Sequence, residues 1–143
     1  MLAAITIRFL YCYSCFKPMT LINSAANENI KRWRKISEHP RGAKKIGTTL
    51  AEGIHLAEVI CEKRPETRAV VVRENNVHPD VHALAERVAE ETGAKFLTVA
   101  DKLYDAVCPV ENGTGIMVEV AVEFAQRPMQ PIAEDALYLD GVQ

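Results

Sequence analysis

Apolar residues recur at helical spacing near the amino-terminal third of the chain. Ile30, Trp33 and Ile36 fall on one stripe of a predicted helix, and lysines and arginines occupy its other faces. Pro40 and Gly42 mark the end of this helix. The stripe predicts that Trp33 packs in the core, while the charged face lies in solvent.

The centre of the chain predicts a buried strand followed by a long helix. Four consecutive apolar residues, Ala69 to Val72, indicate a strand covered on both faces, as in parallel sheets between helix layers. Gly93 then stands where a left-handed cap ends the helix. The apolar positions of that helix follow the i, i+3, i+4, i+7, i+8 pattern, and they are Val81, Leu84, Ala85, Val88 and Ala89.

The remaining segments complete an alternating pattern. Residues 47–53 predict an extended segment, and residues 54–63 predict a helix whose inward positions are Ile54, Leu56, Val59 and Ile60. Further along, "AKFLTVA" predicts a strand, "DKLYDAV" a short helix and "GIMVEVAV" another strand. This order predicts an α/β fold with three layers, α/β/α, around a mainly parallel sheet.

Composition favours a soluble domain that binds a polyanion. The chain has 143 residues, of which 48% are hydrophobic and 25% charged, values typical of one globular domain. No apolar run reaches the length of about 20 residues that spans a membrane. Residues 1–45 contain nine lysines and arginines against two acidic residues, whereas residues 46–143 contain eight against seventeen. This asymmetry indicates a basic segment that meets nucleic acid.

The sequence predicts no catalytic residue and no metal site. It contains no phosphate-binding glycine loop, nucleophile elbow or zinc quartet. Cys12 and Cys15 have C-x-x-C spacing without a second pair, and His78 and His82 are four residues apart without a third ligand. Reduced thiols in the cytoplasm are therefore expected, and the chain is predicted to act by binding.

The strongest functional signal is the segment "IKRWRKISEHPRGAKKIG", which holds a single acidic residue, Glu38. An amphipathic helix with a solvated face explains part of this charge. The basic run continues, however, into a predicted loop after Pro40, where helix solvation no longer explains it. A stripe of this kind suits an RNA phosphate backbone. Its seven basic residues are Lys31, Arg32, Arg34, Lys35, Arg41, Lys44 and Lys45.

These residues resemble the opening of the substrate-binding domain of SpoU/TrmH-type RNA 2'-O-ribose methyltransferases. The similar motifs are Ser24-x-x-Asn27, the basic helix, the basic loop 41–45, Glu52-Gly53 and the later "ENGTGIMVEV". The resemblance covers residues 20 to about 126 and implies a fold like that of kink-turn-binding ribosomal proteins. With the charge pattern it gives a predicted RNA-binding set of Asn27, Lys31, Arg32, Arg34, Lys35, Arg41, Lys44, Lys45, Glu52 and Gly53.

The resemblance also implies a division of the chain. Residues 1–19 are predicted to be an extension outside the fold, residues 20–126 the RNA substrate-binding domain, and residues 127–143 a linker with the first strand of a methyltransferase domain that is missing. In the family, S-adenosylmethionine and the homodimer contact belong to that missing domain. We therefore expect this chain alone to bind no cofactor and to be inactive, although the full-length enzyme uses S-adenosylmethionine.

The predicted function is thus the recognition of structured tRNA or rRNA for a 2'-O-ribose methyltransferase. A free-standing RNA-binding module of ribosomal-protein type is the first alternative. A small Rossmann-like enzyme or ligand-binding protein is the second, but it requires a glycine-rich turn after the first strand, and "RENNVHPD" supplies none.

Overall fold

A five-stranded sheet lies between two layers of helices in the computed structural model, which describes residues 20–39, 41–76 and 78–123. The predicted extension with Cys12 and Cys15, the linker and the terminal strand all lie outside the described residues. The elements in chain order are β1 Thr20–Ile22, α1 Glu28–Glu38, α2 Gly42–Ile46, β2 Thr48–Glu52, α3 Ile54–Lys63, β3 Thr67–Arg73, α4 Pro79–Thr92, β4 Lys95–Val99, α5 Asp101–Val107 and β5 Ile116–Ala121.

The strand order in the sheet is β1-β4-β3-β5-β2. Strands β1, β4 and β3 pair in parallel, and β5 pairs antiparallel with both β3 and β2. Four of the five strands consequently point in the same direction, with β5 reversed between β3 and β2. The predicted α/β fold with a mainly parallel sheet is confirmed, and the reversed strand is a feature that the sequence pattern did not reveal.

Each face of the sheet carries its own apolar core, as the predicted layering requires. Helices α1, α2 and α5 cover one face, here called the α1 face, where Val71 packs with Trp33 and Tyr104. Helices α3 and α4 cover the other face, where Val70 and Val72 are buried. Because successive strand residues point to opposite faces, the apolar run in β3 fills both cores.

Two short elements and one helix face differ from the sequence predictions. Strand β1 was not predicted, and the predicted basic loop is in fact the helix α2. In α3 the predicted inward residues Leu56 and Val59 are each 49% exposed, while Ala57 and Ile60 are buried. Apolar residues surround α3 on several sides, so periodicity left its rotation ambiguous, and packing against α4 decided it.

Candidate nucleic-acid interface

Helix α1 presents its basic residues on the surface because its apolar stripe is fixed in the core. Ile30, Trp33 and Ile36 are buried, as predicted, and they pack on the α1 face of the sheet. The side chain of Asn27, one of the predicted RNA ligands, caps the helix by accepting a hydrogen bond from the backbone N–H of Asn29 at 2.9 Å. Asn27 therefore has a structural role at this helix start.

Helix α2 extends the basic surface beyond the end of α1. Its partly buried Ala43 and Ile46 pack against the core, so that Arg41, Lys44 and Lys45 are exposed. Gly42 lies directly against the backbone carbonyl of Lys35, and a Cβ at this position would overlap that oxygen. The close approach of the two backbones explains why the second helix begins at a glycine and stays beside the first.

The cations of this surface differ in how far they are neutralised. Lys31 pairs with Glu28 at 2.7 Å, and Arg34 lies 3.8 Å from Glu38, both on the helix surface. Such exposed pairs are weak and compete poorly with a polyanion. Among the salt bridges of the described residues, none involves the four remaining exposed cations of this surface, which are Lys35, Arg41, Lys44 and Lys45. We call these four residues the open cations.

Arg32 stands apart because its guanidinium binds a buried carboxylate. Its Nε and Nη2 donate hydrogen bonds of 2.9 and 2.8 Å to the two carboxylate oxygens of Glu119 on β5. Trp33 Nε1 donates to the same carboxylate at 2.8 Å, and the Thr48 hydroxyl donates to it at 3.0 Å. Arg32 thus anchors α1 to the sheet in this structure, and the RNA contact predicted for it stays a prediction.

Glu119 is ionised in this cluster. Its side chain is 0% exposed, and burial by itself raises the pKa of a carboxyl group. The hydrogen bonds and the charge of Arg32, together with the bonds from Trp33 and Thr48, outweigh that effect and hold the pKa of Glu119 below its usual value. The cluster is therefore a buried ion pair in which neutral donors also hydrogen-bond to the carboxylate oxygens.

Sequence reasoning missed Glu119 although a signal was present. The residue is the one acid within the apolar strand "GIMVEVAV", and a charge in a buried strand requires a partner. Its partner lies 87 positions earlier in the chain, at Arg32. Nothing in the local pattern distinguishes Arg32 from its basic neighbours, so the pairing emerges only from the fold.

Glu52 and Gly53, the other predicted RNA residues, lie at the carboxyl end of β2. The Glu52 carboxylate accepts hydrogen bonds from the backbone N–H and the hydroxyl of Thr114, which fixes the loop before β5. Gly53 begins α3 with φ 115° and ψ 151°, a conformation open essentially to glycine alone. Helix α2 precedes the opposite end of β2, so the length of the strand separates these two residues from α2 by on the order of 13 Å.

The carboxyl edge of the parallel strands holds a second group of polar residues. Arg73, at the end of β3, donates to both carboxylate oxygens of Asp105 and lies 3.5 Å from Asp101. Its guanidinium also stands 5.9 Å from the centre of the Tyr104 ring, and burial raises the pKa of Tyr104 well above its ordinary value. Arg73 is neutralised here, so it holds α5 to β3 and is not one of the open cations.

Metal binding, thiol chemistry and a membrane-spanning helix have little support in the described part of the chain. Among residues 20–39, 41–76 and 78–123, no group of three or more potential ligands could hold a metal ion. Burial raises the pKa of the Cys108 thiol, which disfavours the nucleophilic thiolate. Within the same described ranges, no helix combines the length and apolarity needed to cross a membrane.

The fold and the surface together define a three-layer α/β domain with a basic helix pair on one side. A family comparison makes the class specific: the family described as "MRM3-like substrate binding domain" matches residues 27–118. The chain belongs to this family. The resemblance to the substrate-binding domain of SpoU-type RNA methyltransferases, stated above from the sequence, is thereby confirmed.

Solved structures agree at the level of the fold. An rRNA methyltransferase from Sinorhizobium meliloti superimposes with a TM-score of 0.59 at 16% identity, covering 75% of this chain and 38% of that one. An RNA 2'-O ribose methyltransferase gives a TM-score of 0.57 at 16% identity, covering 79% of this chain and 42% of that one.

A third similar structure contains a cofactor. The SpoU methyltransferase AviRb from Streptomyces viridochromogenes, solved with AdoMet, gives a TM-score of 0.51 at 12% identity, covering 68% of this chain and 34% of that one. This chain therefore spans about two fifths or less of the length of these methyltransferases. No curated protein matches the sequence significantly.

Proposed function

We propose that this domain binds structured rRNA or tRNA and presents it for 2'-O-ribose methylation. The observation that carries the proposal is the family match over residues 27–118, because that family is described by substrate binding. Two of the solved structures with a similar fold are an rRNA methyltransferase and an RNA 2'-O ribose methyltransferase. RNA is therefore the substrate class that the domain is proposed to recognise.

The charge distribution supports the same proposal on physical grounds. The open cations lie on two adjoining helices, and none is committed to a carboxylate within the described residues. When lysines and arginines neutralise phosphates, condensed counterions are released, so binding is favoured by entropy and weakened by salt. Lys31 and Arg34 can add to this surface because their exposed pairs with Glu28 and Glu38 are weak.

Fluorescence anisotropy over a salt series tests the proposal directly. The probes are a labelled rRNA hairpin and a labelled tRNA transcript, and the protein is the full chain. Each phosphate contact contributes about −0.7 to −0.9 to the slope of log affinity against log salt. Replacing Arg41, Lys44 and Lys45 together with alanine should therefore make the slope shallower by about 2.

A matched control separates this surface from net charge. Lys63, Arg87 and Lys102 are also exposed and lie on α3, α4 and α5. Replacing these three with alanine removes the same charge, but the slope should stay close to that of the wild type. If both triple variants behave alike, or if the wild type fails to bind either RNA, the proposed function is wrong.

The cofactor is proposed to belong to the complete methyltransferase rather than to this domain. The AviRb structure contains AdoMet, and this chain covers only 34% of its length. Calorimetric titration of this chain with S-adenosylmethionine should therefore give no saturable heat. Binding at micromolar concentrations would contradict a purely RNA-binding role.

A free-standing RNA-binding module remains the alternative within the same class. It predicts the same salt dependence but requires no methyltransferase partner. Adding a SpoU-type catalytic domain in trans, with S-adenosylmethionine and the rRNA hairpin, distinguishes the two. Stimulated methyl transfer supports the substrate-recognition role, and no stimulation favours the free-standing module.

A further inference from the structure

An irregularity in β3 turns an arginine toward the α1 face of the sheet. The pairing of β3 with β5 shifts register between Thr67 and Ala69, with Arg68 at the shift. Regular alternation would place Arg68 on the opposite face with Val70. Instead its Nη1 lies 4.0 Å from Oε1 of Glu119, which belongs to the α1 face. A bulge of this kind re-aims a side chain.

A second cation follows on the neighbouring strand. Lys95 is the first residue of β4, and its Cα pairs with that of Ala69. Leu97 and Val99, two and four residues later, pack on the α1 face. Strand alternation therefore places the exposed Lys95 on this face as well, beside the residue that follows Arg68.

Together with Arg32, these residues form a basic group next to α1. Arg32 and Arg68 both lie within 4.0 Å of the carboxylate of Glu119, and Lys95 forms no salt bridge within the described residues, so the group keeps an excess of positive charge. Arg32 satisfies Glu119 through two short bonds, whereas Arg68 touches it only at 4.0 Å and its side chain is 51% exposed. Most of the N–H donors of Arg68 are therefore available to another anion.

We propose that Arg68 and Lys95 bind backbone phosphates of the RNA. These contacts extend the path of the RNA from α1 onto the sheet, at the amino-terminal ends of β3 and β4. The inference rests on the proposed function, because it assigns two further contacts to the same RNA. Arg32 and Glu119 act here as positioning residues: they hold α1 against β5 at the place where Arg68 emerges. The RNA would thus contact β3 and β4 in addition to α1 and α2.

The double variant Arg68→Ala/Lys95→Ala tests this assignment with the labelled rRNA hairpin. Losing two phosphate contacts should make the salt slope shallower by about 1.5 and weaken binding at fixed salt. Both side chains are exposed, so the thermal midpoint should hardly change. The variant Arg68→Lys keeps the charge and should retain most of the wild-type slope.

Lys63→Ala/Arg87→Ala, on the opposite helix layer, is the control with equal loss of charge. The inference is overturned if Arg68→Ala/Lys95→Ala binds like the wild type while the Arg41→Ala/Lys44→Ala/Lys45→Ala variant binds more weakly. That result would leave the proposed function unaffected. It is also overturned if the control loses as much slope as the test variant. A wild-type protein that does not bind the hairpin would overturn both proposals.

Discussion

Replacing Glu119 with alanine should cost about 3 kcal/mol of unfolding free energy at neutral pH, within the range of about 3–5 kcal/mol for broken buried ion pairs. The variant removes a carboxylate that accepts four hydrogen bonds from Arg32, Trp33 and Thr48. Trp33 and Thr48 are then left with buried donors that lack this acceptor. The lower end of the range is expected because the Arg32 side chain is 27% exposed and can turn toward solvent.

The effect of Glu119 should depend on pH in a defined direction. Its pKa is lower in the folded protein than the value of about 4.3 typical of an unfolded chain. The ionised carboxylate therefore contributes stability above about pH 4.3, and this contribution is lost as the pH falls through the folded pKa. The difference between wild type and Glu119→Ala should be largest at neutral pH and should shrink at pH values below 4.

Urea unfolding followed by tryptophan fluorescence measures both effects, since Trp33 is the one tryptophan and contacts Glu119. The companion variants are Arg32→Met, Glu119→Met and the double variant Arg32→Met/Glu119→Met, which together close a double-mutant cycle. Because an apolar pair leaves no unpaired charge, the double variant should be more stable than the sum of the single losses predicts. A loss below about 1 kcal/mol for Glu119→Ala, or additive losses in the cycle, would refute this account of the cluster.

Three further stability predictions use the same unfolding assay, with near-ultraviolet circular dichroism where tryptophan is removed. Trp33→Ala should cost about 3–5 kcal/mol because the indole is fully buried; a loss under 1 kcal/mol would contradict its place in the core. Gly42→Ala should cost about 1–3 kcal/mol because its Cβ meets the backbone of Lys35, and a neutral result would mean that α2 moves freely. Gly53→Ala should cost about 1–3 kcal/mol through backbone strain at φ 115°, whereas an unchanged midpoint would exclude that strain.

The main elements of the fold could be predicted from local patterns. The stripe of α1 and the spacing in α4 each show which side of the helix faces the core. The apolar run of β3 shows that both faces of the strand are buried. Short elements could not be predicted in this way. Strand β1 has three residues and α2 has five, too few to show a period, and both depend on neighbours that the fold supplies.

The amino-acid pattern alone reveals the basic segment, the family resemblance and the α/β core. Which cations are open to a ligand depends on how the chain folds. Arg32 and Lys35 are indistinguishable in a charge count, yet one is bound to Glu119 and the other is exposed. A buried carboxylate requires a partner, and the fold supplies one here from 87 residues away in the chain. Likewise, the bulge that aims Arg68 at the α1 face arises from strand pairing, which no local pattern encodes.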